Sequence, residues 1–216
     1  MEATPRVVLL HDRLAPRAPG ASADGVDAAH DLAGDGLIIG FGRVGQVVSQ
    51  PLLARRFRIA IIDNDVAMIE AAGEFGFKVY YGDGQRLDIL HAAGAPDARL
   101  VAVCTDDRAA TSRIVALMKA EFPLVPVLAR SFDREHAVEI VHAGADAQVR
   151  ETFDSACHAG AEALRLLGVA PEEIADAVED FRRRDAVRFE ANLVGGLYAG
   201  RELLRGNRSE DGAVQS

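Results

Sequence analysis

The chain is poor in the residues that build cross-linked or membrane-spanning proteins. It has 216 residues, with two cysteines and no tryptophan. Cys104 and Cys157 lack the spacing of metal ligands or of a disulfide framework, which suits a reducing compartment. No apolar run approaches the ~20 residues that span a bilayer, and residues 1–20 lack the long apolar core of a signal peptide. We therefore expect a cytoplasmic protein that reaches the inner face of the plasma membrane only through a partner.

Basic charge is also scarce, because 24 lysines and arginines stand against 33 acids and give a net charge of −9. A nucleic-acid partner needs a basic stripe to bind phosphates, so this class of function is excluded. The one arginine run, at 182–184, lies between acids and is typical of a solvated helix face.

Short β-rich runs alternate with helical stretches over residues 36–150. This order is typical of a parallel sheet covered on both faces, and it predicts an α/β fold: a Rossmann-like, doubly wound, parallel six-stranded sheet with a helical C-terminal extension. Residues 1–35 form a predicted flexible N-terminal segment with a strand-like run at 7–10, and residues 151–216 a predicted helical dimerisation arm with a polar tail. The predicted strands are 37–40, 58–63, 78–81, 100–104, 125–129 and 147–150. The predicted helices are 44–56, 66–75, 85–93, 108–121, 134–143, 151–167 and 172–205.

A glycine loop follows the first predicted strand, with Gly40, Gly42 and Gly45 in the spacing G-x-G-x-x-G. The first glycine permits a tight turn, the second lets the backbone approach a pyrophosphate, and the third lets the helix pack on the strand. The helix that opens at Val44 presents unpaired N–H groups to phosphates. The alternative is a glycine-rich turn that binds no ligand.

Asp63 ends the second predicted strand, 18 residues beyond Gly45, where an acid can accept the ribose hydroxyls of a nucleotide. A carboxylate there would repel a 2′-phosphate, so NAD(H) or AMP is favoured over NADP. A role for Asp63 as the N-cap of the next helix is the alternative, and the two roles are compatible.

Polar residues also follow the third and fourth predicted strands. Asp83, Thr105 and Asp106 stand where ligands of open α/β sheets bind, and we expect them to contact base or ribose. The alternative for Asp83 and Asp107 is that they only cap helices.

The sequence lacks a recognisable proton-handling group for a dehydrogenase. A Tyr-x-x-x-Lys pair is absent, because Gly84, Gln85 and Glu202 stand four residues after the three tyrosines. We therefore predict a ligand sensor and not an enzyme. A small NAD-dependent oxidoreductase and an orphan nucleotide-binding scaffold are the alternatives.

The segments GFGRVGQVV, IIDND, EFGFKVYYGDG, CTDD, VLARSFD, AGAD and VRETF together resemble the RCK domain, also called the TrkA nucleotide-binding domain, over roughly residues 36–190. The likeness is greatest to the cytoplasmic domain of Kef-type glutathione-gated potassium efflux antiporters. It implies a homodimer that binds NAD(H) or AMP and gates a membrane potassium transporter or antiporter subunit. The nucleotide contacts it implies are Gly40, Gly42, Arg43, Val44, Gly45, Asp63, Asp83, Thr105 and Asp106.

The resemblance also implies a glutathione-like ligand. Phe75 matches a family phenylalanine tied to gating by glutathione conjugates, and Arg150 matches an arginine that holds glutathione. Asp185 stands where the family has an asparagine of the peptide site. Kef proteins carry this domain after a long membrane part, so the chain is expected to be a separate subunit or a fragment of a larger transporter.

The predicted C-terminal helices carry an apolar stripe too long for the Rossmann body to cover alone. We expect these helices to pack across a two-fold axis, with Phe75 and Arg150 near the cleft between subunits. The alternative is that they fold back on their own domain. The stripe comprises Ile174, Ala177, Val178, Phe181, Val187, Phe189, Leu193, Val194, Leu197, Leu203 and Leu204.

Overall fold

The computed structural model describes residues 27–30, 32 and 34–206, so the strand-like run at 7–10 lies outside the described residues. The described part contains one sheet of six parallel strands in the order β3-β2-β1-β4-β5-β6. The strands are β1 Gly36–Ile39, β2 Ile59–Asp63, β3 Tyr80–Tyr81, β4 Val101–Val103, β5 Val127–Ser131 and β6 Ala147–Arg150. The helices are α1 Arg43–Ala54, α2 Val66–Glu74, α3 Leu87–Ala92, α4 Arg108–Glu121, α5 Arg134–His142, α6 Phe153–Leu166 and α7 Pro171–Gly195, with 3-10 turns at Ala95–Asp97 and Arg201–Leu203. The predicted doubly wound parallel fold is confirmed.

The central strands β1 and β4 are apolar throughout, because helices cover both faces of a parallel sheet. On one face Leu90, Ile114 and Met118 are fully buried in the larger apolar cluster. On the other, Phe41 packs against Phe77 with ring centroids 5.0 Å apart. This packing fixes the loop after β1, because Phe41 is itself a loop residue.

Residues just before β1 extend the sheet at its β3 edge. Ala28 forms a parallel bridge with Tyr81, whose N–H donates to the Asp27 carbonyl at 2.8 Å and whose carbonyl accepts from Ala29 N–H at 3.0 Å. Backbone pairing therefore begins before residue 36 in the described part of the chain.

Most element boundaries differ from the prediction by one or two residues, and the end of α7 differs by ten. Strand β5 begins at Val127 and not at 125, since Pro126 has no N–H to give to a ladder. Helix α7 ends at Gly195 and not at 205, because Gly196 follows with φ +80°, a conformation that glycine adopts without steric cost. The Asn192 amide, 2.8–3.1 Å from the carbonyl oxygens of residues 196, 197 and 199, holds the turn after it.

The described residues divide into two compact units between Glu151 and Thr152. In the second unit α6 lies against α7, with the rings of Phe153 and Phe181 5.9 Å apart. An apolar groove of about 340 Å³ runs between these two helices. None of the described helices is long and apolar enough to span a bilayer.

Candidate functional site

A cavity of about 260 Å³ opens at the carboxyl ends of β1, β2 and β4 and at the loop after β3. This is the edge where parallel α/β sheets bind their ligands. The predicted contacts that line it are Gly40, Gly42, Asp63, Asp83, Thr105 and Asp106. Arg43, Val44 and Gly45 stand beside it, in the first turn of α1.

The three glycines of the loop meet different surroundings. Gly40 has φ +92°, and a Cβ there would lie 2.8 Å from the Thr105 nitrogen. A Cβ on Gly45 would lie 2.1 Å from the Gly40 carbonyl oxygen. Gly42 has φ −68°, and a Cβ there would meet nothing closer than the Asp106 carboxylate at 3.7 Å. Gly40 and Gly45 therefore serve the fold, whereas Gly42 leaves open space at the helix start.

Asp63 joins the end of β2 to the glycine loop. Its Oδ2 accepts from Phe41 N–H at 2.6 Å, and its Oδ1 accepts from Asp65 N–H at 2.8 Å. Burial raises the pKa of this carboxyl above its usual value, against the lowering effect of these two hydrogen bonds. The N-cap of α2 is Asp65, which accepts from Ala67 and Met68, so the capping alternative for Asp63 is wrong. Each Asp63 oxygen keeps lone-pair capacity for a ribose hydroxyl.

The aspartates that follow β3 and β4 have different hydrogen-bonding roles. Asp83 accepts from Gln85 N–H at 3.0 Å in the turn before α3, whose N-cap is Arg86, so Asp83 does not cap that helix. Asp107 caps α4 through Ala110 N–H at 2.7 Å. Asp106, next to it, points its carboxylate toward the glycine loop.

The sequence prediction missed Arg130, a buried arginine of β5. Its NH1 donates to the Thr105 carbonyl at 2.7 Å and to Asp106 Oδ1 at 2.6 Å, and its Nε donates to Glu151 Oε2 at 3.1 Å. The other Glu151 oxygen pairs with Arg43 NH2 at 3.1 Å. This network, Arg43–Glu151–Arg130–Asp106, ties the loop, β4 and the end of β6 to β5. The sequence signal for the role of Arg130 is its place near the carboxyl end of an otherwise apolar strand.

Two further buried groups are Cys104, which lines the cavity, and His136 of α5, which does not. Burial raises the pKa of the Cys104 thiol to about 12, so it is protonated at neutral pH. The buried ring of His136 accepts from Phe132 N–H through Nδ1 at 3.1 Å, and its Nε2 lies 3.3 Å from Ser112 Oγ. Because Nδ1 is the acceptor, the neutral ring carries its proton on Nε2 and donates to the hydroxyl. His136 therefore bridges α4 and α5 and is not placed to activate Ser112.

A family model of the TrkA-N domain matches residues 37–151. The chain belongs to the TrkA-N domain family. It is 39% identical over 172 residues to the glutathione-regulated potassium-efflux system protein of Haemophilus influenzae, and the match covers 80% of this chain and 28% of that protein. This TrkA-N chain therefore spans under a third of that relative.

Two solved structures are similar to this TrkA-N chain. The Kef CTD of Shewanella denitrificans in its AMP-bound form is 36% identical with a TM-score of 0.67, covering 73% of this chain and 96% of that one. GsuK bound to ADP is 25% identical with a TM-score of 0.53, covering 58% of this chain and 32% of that one. The resemblance found in the sequence is confirmed.

The two predicted glutathione contacts lie far apart in this TrkA-N domain and outside the cavity lining. Phe75 follows α2, near β3 at one edge of the sheet, with 54% of its surface exposed. Arg150 ends β6 at the opposite edge, in register with Ser131. Five strand spacings separate β3 from β6, roughly 24 Å. One small peptide cannot touch both residues of a single chain.

Proposed function

We propose that this chain is the ligand-sensing part of a potassium-transport system, in which AMP or NAD(H) binds at the cavity and sets the activity of a membrane transporter. The observation that carries the proposal is the likeness to the AMP-bound Kef CTD, which extends over nearly all of that chain. The cavity adds independent support, since the glycine loop and Asp63 line it at the carboxyl ends of the strands, where ligands of open α/β sheets bind.

A regulatory role suits the site better than catalysis. The cavity offers carboxylates, backbone N–H groups and a protonated thiol, and the nearest buried histidine is held by Phe132 and Ser112. A hydride-transfer enzyme needs a proton-handling group beside its substrate. No histidine, lysine or tyrosine is among the described residues that line the cavity, and its aspartates already accept from backbone N–H groups or from Arg130.

Calorimetry with AMP, NADH and NADPH tests the binding step. We expect AMP and NADH to bind and NADPH to bind at least tenfold more weakly, because Asp63 repels a 2′-phosphate. Equal affinity for NADH and NADPH contradicts the assignment of Asp63. Steady oxidation of NADH with a panel of aldehydes and ketones would contradict the regulatory role.

The transport step is tested in cells that carry the natural partner. Deleting this chain should change potassium flux, and the wild-type gene should restore it. A Gly42→Ala gene should not restore it if nucleotide occupancy sets the flux. Full restoration by the Gly42→Ala gene, with binding lost in vitro, would separate transport from nucleotide sensing and refute the proposal.

A two-fold homodimer completes the proposal. In helix α7, Val187 is 50% exposed to solvent and Val194 is 94% exposed. These two residues share a helix face, because they are seven positions apart. Exposed apolar side chains that share a helix face are candidates for a partner surface. Since Phe75 and Arg150 lie at opposite edges of one sheet, a glutathione-like ligand that contacts both must lie between two subunits.

Light scattering tests the dimer. The wild-type chain should have twice the monomer mass at tens of micromolar, and the Val187→Glu, Val194→Glu double variant should be monomeric with unchanged AMP affinity. Leu124→Glu is the matched control, because Leu124 is 95% exposed in the first unit, and this variant should remain dimeric. A monomeric wild-type chain contradicts the proposal.

A further inference from the structure

Asp106 stands where a phosphate group would approach the glycine loop. Both of its carboxylate oxygens lie 3.7 Å from the point that a Cβ on Gly42 would occupy. Gly42 is the open position of the loop, and no acidic side chain lies in the first turn of α1. A phosphate that contacts the backbone at Gly42 therefore comes close to the Asp106 carboxylate.

The lining of the cavity is strongly negative. Five aspartates and no lysine or arginine are among the described residues that line it. Two nearby arginines, Arg43 and Arg130, pair with Glu151 and Asp106, and a third, Arg113, donates to the lining side chain of Gln85 at 2.7 Å. At the glycine loop itself, the positive charge offered to a ligand is the partial charge at the α1 N-terminus, about half an elementary charge.

We infer that Asp106 is a specificity-determining residue, which limits the negative charge that a ligand can carry at the glycine loop. The site accepts a monophosphate such as AMP, or the pyrophosphate diester of a dinucleotide, and it discriminates against the further terminal phosphates of ADP and ATP. The inference rests on the proposed nucleotide-binding function and adds its selectivity.

The size of the effect follows from the distance and exposure of Asp106. Two unit charges about 5 Å apart change an equilibrium constant by about fourfold in water and by more than a hundredfold at the effective dielectric constant near a protein surface. The Asp106 side chain is 57% exposed and is paired with Arg130, so its effect on the equilibrium constant should lie toward the lower end of this range. We expect each added phosphate charge to weaken binding by roughly fivefold to tenfold.

Calorimetry with AMP, ADP and ATP in the presence of EDTA tests the inference, because chelation keeps divalent cations from neutralising the phosphates. The wild-type protein should bind the three nucleotides in the order AMP, ADP, ATP. Asp106→Asn should reduce the ratio of AMP affinity to ADP affinity by roughly fivefold to tenfold. Asp106→Glu, which keeps the charge, should retain most of the discrimination, and added salt should narrow it in the wild-type protein.

Asp107→Asn is the matched control. It removes the same charge from the next residue, and asparagine can still cap α4, so the affinity ratio should change much less than in Asp106→Asn. Equal changes in both variants would mean that the general potential of the cavity discriminates, which overturns the role of Asp106. An unchanged ratio in Asp106→Asn, with an unfolding temperature like that of the wild type, overturns it as well. If the wild-type protein binds none of the three nucleotides, the proposed function itself is wrong.

Discussion

Adding one methyl group at Gly42 separates ligand binding from folding. The new Cβ would lie 3.7 Å from the Asp106 carboxylate, an ordinary contact, and φ −68° suits any residue. Alanine is a poorer N-cap than glycine, so the free energy of unfolding should fall by no more than ~1 kcal/mol. In the proposed site, a phosphate reaches the first turn of α1 through the space that this methyl group occupies.

The loss of binding should be much larger than the loss of stability. A hydrogen bond to a charged group is worth roughly 1.5–3 kcal/mol, so losing one such bond to the phosphate should weaken AMP binding by about tenfold to a hundredfold. Calorimetry measures the affinity, and urea denaturation measures the stability of the same samples.

The other two glycines of the loop supply the controls. Gly40→Ala forces alanine into φ +92° with a 2.8 Å approach to Thr105, and Gly45→Ala brings its Cβ within 2.1 Å of the Gly40 carbonyl oxygen. Both variants should lose several times more stability than Gly42→Ala. If Gly42→Ala binds AMP like the wild type, or unfolds as readily as Gly45→Ala, the placement of the phosphate at Gly42 is refuted.

Two pH-dependent predictions follow from buried groups. Burial raises the pKa of Asp63 in the free protein, and ribose hydroxyls that donate to it stabilise its ionised form, so NAD affinity should fall as the pH drops through this pKa. Calorimetry on Asp63→Asn should show weak binding that does not depend on pH in this way. An equal pH dependence in the variant contradicts the ribose contact. Burial, and then the charge of Arg108, lowers the pKa of His136 in the folded protein. The unfolded chain therefore binds the proton first, and the free energy of unfolding should fall as the pH drops below ~6.5. Urea midpoints measured from pH 7.5 to 5.5 should show this loss, and His136→Gln should reduce it.

The alternation of short apolar runs with helical stretches was enough to predict the sheet, because strands that are buried on both faces are apolar along their whole length. The errors in the elements fall where one residue decides the backbone locally. Pro126 delays β5, and Gly196 ends α7 before an apolar stretch that helical spacing alone would continue. Both residues were visible in the sequence, but the apolar pattern on either side of them outweighed the local signal.

The network around Arg130 could not be predicted in the same way. Its members Asp106, Arg130 and Glu151 follow or end three different strands, and only the strand order brings them together. Spacing along the chain carries no information on such a contact. The capping alternative for Asp63 failed for a local reason, since α2 begins at Val66 and its N-cap is therefore Asp65.

If the proposed ligand binds Asp63, this residue links ligand binding to the stability of the glycine loop. In the free protein its buried carboxylate has the N–H groups of Phe41 and Asp65 as partners, and its raised pKa shows that they do not fully offset the loss of solvation. A ribose that donates to the same carboxylate supplies part of what is missing, so the ligand stabilises the acid that holds Phe41 in place. At a ligand concentration one hundred times Kd, binding adds about 2.7 kcal/mol to the stability of the folded state. A loop whose stability depends on occupancy in this way can report the ligand to a partner without any chemical step.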